Sequence, residues 1–375
     1  MKMIASFEVC GYASISKNIK IDFTAKQNQR LKNTKYESNY FSDTRLAKSA
    51  VLFGKNATGK TNILKALESI LRIIENGLNI EKESQFINSD IGYTEYKITI
   101  TDNKKDSYVH EIKFDKERII SESLTKNKVL IYHFNEDKLT FPIATEYEKL
   151  LSVVSRDTVL NKIKDNGIKE LREFQGAVKV YEYSKNINTF EVIADRDRVI
   201  PFPLFIKDFF TGHKDAVLNI LEIVDDSITD FDFIDIKDDR FSLILKRDHK
   251  SFVFEKESSG VKKIIELMVG LVYAIDSADS VPESVMIIDE LDSSISTISL
   301  IRLLNGVINS SSNTKGQFIL SSHNPLIFDT DMLAPSQIYI VSKENTATTL
   351  KALSEFELRN DKKKAYMDYL RGDYE

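Results

Sequence analysis

Hydrophobic and polar positions change period several times along the chain. Residues 3–24 alternate loosely, with Ile4, Phe7, Val9 and Tyr12 and then Ile19, Ile21 and Phe23 as the apolar set. A period of two predicts two strands turned around Gly11 to Lys17. Residues 25–44 are polar and predict a surface loop. The short run Ser49-Ala50-Val51-Leu52-Phe53 then predicts a buried strand. From Asn62 the period becomes helical, with Ile63, Leu64, Leu67, Ile70, Leu71 and Ile74 on one face. Residues 94–145 return to short β-patterned runs near Tyr96–Ile100, Tyr108–Phe114, Ile119–Leu124 and Val129–Phe134. Charged turns such as residues 102–106 separate them, so an antiparallel meander is expected.

Residues 146–176 read as helical, carried by Leu150, Leu151, Val154, Val159, Leu160 and Ile163. Residues 177–256 are mixed: Pro201-Phe202-Pro203 is a break, a helix is expected over Asp215 to Val224, and short strands over Phe231–Ile236, Phe241–Leu245 and Phe252–Phe254. The last third predicts a helix over Val261 to Asp276 and an apolar strand, Val285–Ile288, ending in Asp289-Glu290. A helix over 294–309 and strands at Gln317–Leu320 and Gln337–Val341 follow. Short apolar strands alternating with helices imply a parallel sheet covered on both faces. No heptad survives three repeats, which argues against a long coiled coil.

Composition narrows the function classes. The length of 375 residues suggests two to three domain-sized units. A net charge of −5 offers no global basic field, so nucleic-acid contact would need local patches. Lys104-Lys105 and Lys362-Lys363-Lys364 read as solvated surface. The single cysteine, Cys10, excludes an internal disulfide framework and a paired-cysteine metal hook, and fits a reducing cytosol. No run approaches the length of a membrane span, and residues 1–8 lack the apolar core of a signal peptide. The expectation is a cytoplasmic protein with no membrane partner.

The chemistry begins at Gly54-Lys55-Asn56-Ala57-Thr58-Gly59-Lys60-Thr61, which fits G-x-x-x-x-G-K-[ST] between the apolar strand and the helix. Its glycines let the backbone approach a phosphate closely. Its N–H groups cradle the anion at a helix N-terminus, Lys60 reaches the β- and γ-phosphates, and the Thr61 hydroxyl ligates Mg²⁺. Asp289, at the carboxyl end of a buried strand, suits Mg²⁺ held through water, and Glu290 suits polarising the attacking water. Two adjacent carboxylates beside an apolar strand are costly to bury without a cation. They also suit a helix N-cap, which Asp292-Ser293-Ser294 serves better. His323, in Ser321-Ser322-His323-Asn324, is placed at a strand end to hydrogen-bond a γ-phosphate and the attacking water. Glu257-Ser258-Ser259-Gly260 opens a helix and reads either as an anion-binding start or as an ordinary cap.

The order of these motifs resembles the ABC-type ATPase heads of the SMC/RecF/OLD superfamily. It is more closely similar to the ATPases of bacterial abortive-infection and related anti-phage systems, of AbiL-type and PARIS-like kind. The opening Phe7-Glu8-Val9-Cys10-Gly11-Tyr12-Ala13-Ser14-Ile15 resembles that family's first strand. Leu333 to Lys343, Leu353-Ser354-Glu355-Phe356 and Tyr369 to Tyr374 are similar as well. The match is weakest over residues 145–250.

The resemblance implies an α/β P-loop head, a mixed or parallel sheet flanked by helices with an antiparallel β-meander. Residues 1–145 and 251–375 would form its halves around an inserted, mainly helical or mixed subdomain at 146–250. It implies ATP bound by Gly54 to Thr61 with Asn62, and Mg²⁺ held by Thr61 and Asp289. Glu290 would be the general base and His323 the switch histidine. Ser258, Ser259 and Gly260 would act as a signature motif in trans, and Asp292 in a D-loop at the dimer interface. A head-to-tail homodimer, or a higher oligomer, follows from that geometry.

Departures from the family pattern are Ser296-Thr297 where His-Pro is common, and Ser-Ser-Gly-Val-Lys where the signature often ends in glutamine. The sequence does not assign the lid glutamine, for which Gln85 is a candidate. The expectation is a chain without the nuclease domain that OLD-type relatives carry. The expected function is an ATPase that acts as sensor or regulatory subunit of an anti-phage system and controls a separately encoded nuclease or toxin, with DNA or a phage protein as a further candidate partner. The alternatives are a nucleotide-gated scaffold with little turnover and a RecF-like DNA-repair ATPase.

Overall fold

The buried apolar side chains sort into two cores on opposite faces of one sheet. The computed structural model describes residues 2–25, 31–142, 145, 148, 157–165, 174–185, 202–237, 239–248, 250–275, 283–356 and 365–374. The predicted helical positions Leu150, Leu151 and Val154, together with Pro201, Asp276 and the lysines at 362–364, lie outside the described residues.

The chain opens with β1 (Lys2–Cys10) and β2 (Ile19–Asp22), then β3 (Ser49–Phe53), α1 (Lys60–Asn76) and the short α2 (Ile80–Glu83). The meander follows as β4 (Thr94–Asp102), β5 (Ser107–Phe114), β6 (Ile119–Lys126), β7 (Val129–Asn135) and β8 (Lys138–Thr140). Next come α3 (Val159–Asp165), α4 (Gln175–Lys185), β9 (Phe202–Pro203), α5 (Leu204–Gly212) and α6 (Lys214–Val224). Strands β10 (Asp230–Lys237), β11 (Arg240–Arg247) and β12 (Lys250–Val253) precede α7 (Ser259–Ile275) and β13 (Ser284–Ile288). The last elements are α8 (Thr297–Leu303), β14 (Gly316–Ser322), β15 (Ile338–Glu344), β16 (Ala347–Ala352) and α9 (Ala365–Arg371).

The central sheet runs β13-β14-β3-β15-β16, parallel through β15, with β16 antiparallel at the edge. Every residue of β3 is buried, as a strand covered on both faces requires. Ala50 and Leu52 face the core shared with α1 and the meander; Val51 and Phe53 face the core shared with α6, α7 and α8. That alternation is the period-two geometry of a strand applied to an all-apolar run. The meander joins the first hairpin in one antiparallel sheet, β2-β1-β4-β5-β6-β7-β8, because β1 pairs with both β2 and β4. Gly11, at φ +78°, starts the turn after β1, and a Cβ there would lie 1.9 Å from the Tyr93 carbonyl oxygen.

Several expectations need correction. Residues 31–44 are not merely a polar surface loop, because Leu31, Tyr40 and Phe41 are buried in the first core. Helix α5 follows directly where a break is expected: Pro203 is extended and stands at its N-cap, so the proline leads into a helix. The helix expected over 294–309 begins only at Thr297, where the Ser296 side chain accepts the Ser299 N–H, and it widens to a π-turn over Leu304–Ile308. Strand β16, antiparallel at the edge, makes the central sheet mixed, one of the two forms expected of it.

Candidate functional site: a phosphate loop and an acidic turn

The loop leaves β3 under tight backbone constraints. A Cβ at Gly54 would lie 2.3 Å from the Val341 carbonyl oxygen, and one at Gly59, where φ is +110°, would lie 2.1 Å from Thr348 Oγ1. Ala57 is also left-handed, with φ +62°. Such turns build backbone nests that suit anions. Beneath the loop a directional hydrogen-bond chain runs from Asn62 Nδ2 to Ser14 Oγ (2.8 Å), on to Thr348 Oγ1 (2.7 Å), and from there to the Thr58 carbonyl (2.8 Å). Thr348 is fully buried. The Thr58 hydroxyl donates back to the Lys55 carbonyl at 2.9 Å, while Lys55 and Asn56 are exposed.

Lys60 opens α1 and is only 5% exposed. Its ammonium donates to the carbonyls of Gly54 (2.7 Å) and Lys55 (2.9 Å), inside the loop. Burial lowers its pKa, and Asp289, Glu290 and Asp292 oppose that shift. Thr61 Oγ1 donates to Asp289 Oδ2 at 2.6 Å, joining residues far apart in the chain. The other carboxylate oxygen of Asp289 accepts from Ser321 Oγ, and that same hydroxyl accepts the Glu290 N–H at 2.8 Å. The acidic pair is less buried than the cost argument supposed. Asp289 is half-buried and Glu290 is exposed, because β13 ends at Ile288 and Glu290 adopts a left-handed φ of +49° that turns the chain out of the sheet. The Glu290 carbonyl is held from within by the buried ammonium of Lys263 on α7.

His323, half-buried at the end of β14, donates its backbone N–H to both oxygens of Asp292. Ser258 accepts the Val261 N–H at 3.3 Å and so caps its own helix, while Ser258 and Ser259 remain exposed. Gly260 packs on the acidic turn, where a Cβ would lie 2.7 Å from the Ser294 carbonyl oxygen. The structure therefore joins Lys60, Thr61, Asp289 and Glu290 in one place. It sets Gly260 against Ser294 and Ile295 in the turn that follows Asp292, and no hydrogen bond among the described residues ties Ser258, Ser259 or Gly260 to the loop of the same chain. Gln85 is exposed and donates to the Lys82 carbonyl at 2.9 Å.

Sequence reasoning assigned no role to Ser14, Lys263, Ser321 or Thr348. Ser321 stood beside His323 in the motif and was the one with a visible signal. The donor set fits the groups that the loop implies. An ammonium turned onto loop carbonyls can exchange them for phosphate oxygens. A hydroxyl and a carboxylate at 2.6 Å are hard oxygen donors of the kind Mg²⁺ takes.

Strand, loop and helix in the order β3, Gly54–Gly59 and α1, with an acid at the end of β13, define a P-loop ATPase head. The chain belongs to the family described as "AAA domain, putative AbiEii toxin, Type IV TA system", whose model matches residues 49–329. Among solved structures it is similar to an SMC head bound to the C-winged helix domain of ScpA. That likeness has 14% identity and a TM-score of 0.49, over 93% of this chain and 97% of that one. It is also similar to the SMC head domain from Thermotoga maritima, with 14% identity and a TM-score of 0.46, over 95% and 99%. No curated protein matches. Among the described residues, no helix is long and apolar enough to cross a membrane.

Proposed function

We propose that the chain binds and hydrolyses ATP with Mg²⁺, and that it does so as a head-to-tail homodimer of ABC type. The observation that carries this reading is the 2.6 Å hydrogen bond from Thr61 to Asp289, which places a phosphate-loop hydroxyl on an acid at a neighbouring strand end. In this reading Gly54, Lys55, Asn56, Ala57, Thr58, Gly59 and Asn62 surround the phosphates, and Lys60 neutralises the β- and γ-oxygens. Thr61 and Asp289 hold the metal, which when bound supplies Lewis-acid stabilisation of the transferring phosphoryl group. Glu290, exposed and turned outward, takes a proton from the attacking water, and His323 orients that water. Ser258, Ser259 and Gly260 meet the ATP of the partner copy, with Asp292 at the interface. Exposure of both serines in the single chain supports that assignment.

Residues 1–145 and 251–375 form the head in this reading, and 146–250 is an insertion. The family description, with its AbiEii toxin and Type IV toxin–antitoxin system, supports a defence context. The chain would serve there as the regulatory subunit of an abortive-infection system of AbiL-type or PARIS-like kind, working in the cytoplasm. Its partners would be a separately encoded nuclease or toxin and, as a further candidate, DNA or a phage protein.

The test is ATP binding and phosphate release by the purified chain. Lys60→Ala is expected to lose ATP binding, and unchanged affinity in that variant refutes the reading. Glu290→Gln is expected to bind ATP, dimerise and fail to turn over. If that variant still controls its partner fully, hydrolysis is not the output and the chain is a nucleotide-gated scaffold.

A further inference from the structure

Arg247 ends β11 and joins two acids from other parts of the chain. Its Nη1 and Nη2 donate to the two carboxylate oxygens of Glu257 at 2.6 and 2.8 Å. Its Nε and Nη2 donate to Asp225 Oδ2 at 3.0 and 2.8 Å. The side chains of Arg247 and Glu257 are 17% and 5% exposed, so little water competes for these bonds. The guanidinium also lies over the Phe252 ring, 5.2 Å from its centre, which restrains the plane of the fork.

Each acid is tied to an element of its own. Asp225 closes α6, and its other oxygen accepts the backbone N–H and the hydroxyl of Ser227 at 3.1 and 2.5 Å. Helix α6 packs on α7 and α8. Glu257 is extended, with φ −71° and ψ 160°, and stands immediately before Ser258. Helix α7 begins at Ser259, and Gly260 meets the turn that follows Asp292 there. Among the described residues, the other hydrogen bonds of Glu257 to Lys262 are local. The Glu257 N–H reaches the Phe254 carbonyl at 3.0 Å, Ser258 Oγ accepts the Val261 N–H, and Lys262 returns to the Glu255 carbonyl at 2.7 Å. Arg247 is the tie that reaches from a separate strand into the start of α7.

We infer that Arg247 is a positioning residue for Ser258 and Ser259: through Glu257 it sets the direction in which those two exposed serines face a second copy of the chain. A carboxylate this buried is costly without its cation, so Glu257 stays where the guanidinium is. Two parallel N–H···O bonds fix an angle as well as a distance, which a single ammonium cannot do. None of the Arg247 hydrogen bonds reaches residues 54–61. Its effect therefore falls on the contact between copies and not on nucleotide capture by one chain. The inference rests on the proposed trans role of the two serines.

The test uses the full chain, with ATP-induced dimerisation read by light scattering and turnover by phosphate release. Arg247→Lys keeps the charge and loses the fork. Its ATP affinity as a single chain is expected to hold within about threefold, while the protein concentration for half-maximal dimerisation rises about tenfold or more. Turnover should be lost at low protein concentration and return as the concentration is raised. Arg247→Met combined with Glu257→Gln removes the buried charge along with the fork, and is expected to keep the wild-type urea midpoint and still dimerise poorly. Mixing supplies a readout that damage within one chain would not give. Lys60→Ala chains retain Arg247 without a working loop, and Arg247→Lys chains retain the loop. In a mixed dimer the intact loop meets serines held by Arg247, so turnover is expected to reappear although neither protein alone shows it at that concentration. No ATP-induced dimer of the wild-type chain refutes the homodimer reading and this inference with it. A wild-type dimer beside undiminished dimerisation of both Arg247 variants refutes the inference alone, as does a mixture that stays silent.

Discussion

The backbone N–H of His323 donates to both carboxylate oxygens of Asp292, at 3.2 and 3.1 Å. One acidic side chain thereby sets the spacing between the turn after β13 and the end of β14. Asp292→Ala removes both acceptors and frees His323 to drift. Turnover is expected to fall about tenfold to a hundredfold through misplacement of the histidine, with ATP affinity held within about threefold. Asp292→Asn keeps one acceptor oxygen and should recover part of the loss. Phosphate release measured beside a nucleotide titration checks this, and unchanged turnover in Asp292→Ala defeats it.

Ser321 holds Asp289, the proposed metal-side acid, in place. Its hydroxyl donates to Asp289 and accepts from the Glu290 backbone, so one small side chain orients two residues of the proposed reaction. Residues behind a metal ligand typically change metal affinity or activity by about 10–100-fold when removed. Ser321→Ala is expected to raise the Mg²⁺ concentration needed for half-maximal turnover by that factor, while metal-free ATP binding stays close to wild type. A Mg²⁺ dependence identical to wild type would show that Ser321 serves packing alone.

Gly260 is where helix α7 and the acidic turn come closest. An added Cβ would sit 2.7 Å from a backbone oxygen at Ser294, which cannot swing away as a flexible side chain would. Gly260→Ala is therefore expected to cost about 1–3 kcal/mol of stability as overpacking, and to shift the turn that carries Asp292. ATP binding by the single chain should persist, whereas ATP-dependent dimerisation and turnover should be lost. Light scattering with and without ATP separates these outcomes, and a normal ATP-induced dimer in Gly260→Ala would count against the trans role of this segment.

Much of the head was legible because its signals are local. Ser49 to Phe53 and Val285 to Ile288 are continuous apolar runs, and α1 shows its period plainly, so strand, loop, helix and acid could be placed in order. What escaped lies in pairings across the whole chain. Thr348 supports the loop by reaching Thr58, and Ser14 joins them, yet neither hydroxyl carries a sequence signal, because its partner is remote. Strand β16 buries only Thr348 and Ala352, too few positions for a sequence period, and its place comes from pairing with β15. The outward turn of Glu290 is a backbone event: φ of +49° at a glutamate is unfavourable alone, and here the Lys263 and Ser321 contacts hold it.

Lys48 gives the fold a measurable pH dependence that is independent of nucleotide chemistry. It precedes β3, is 4% exposed, and donates its ammonium to the Ser310 carbonyl at 2.8 Å, with the Phe41 ring 5.5 Å away. Burial lowers its pKa from 10.5 to about 8. The folded state therefore disfavours the proton that the unfolded chain still binds. Between pH 8 and 10.5 the unfolded state holds more protons, so this residue makes stability rise with pH across that window. Below it the burial penalty is fully present, and above it the penalty is gone. Lys48→Met removes the titration and keeps the stem. Urea midpoints at several pH values should show wild type gaining on Lys48→Met as pH rises through the window. A constant difference between the two proteins would mean that the Lys48 ammonium keeps its ordinary proton affinity in the fold.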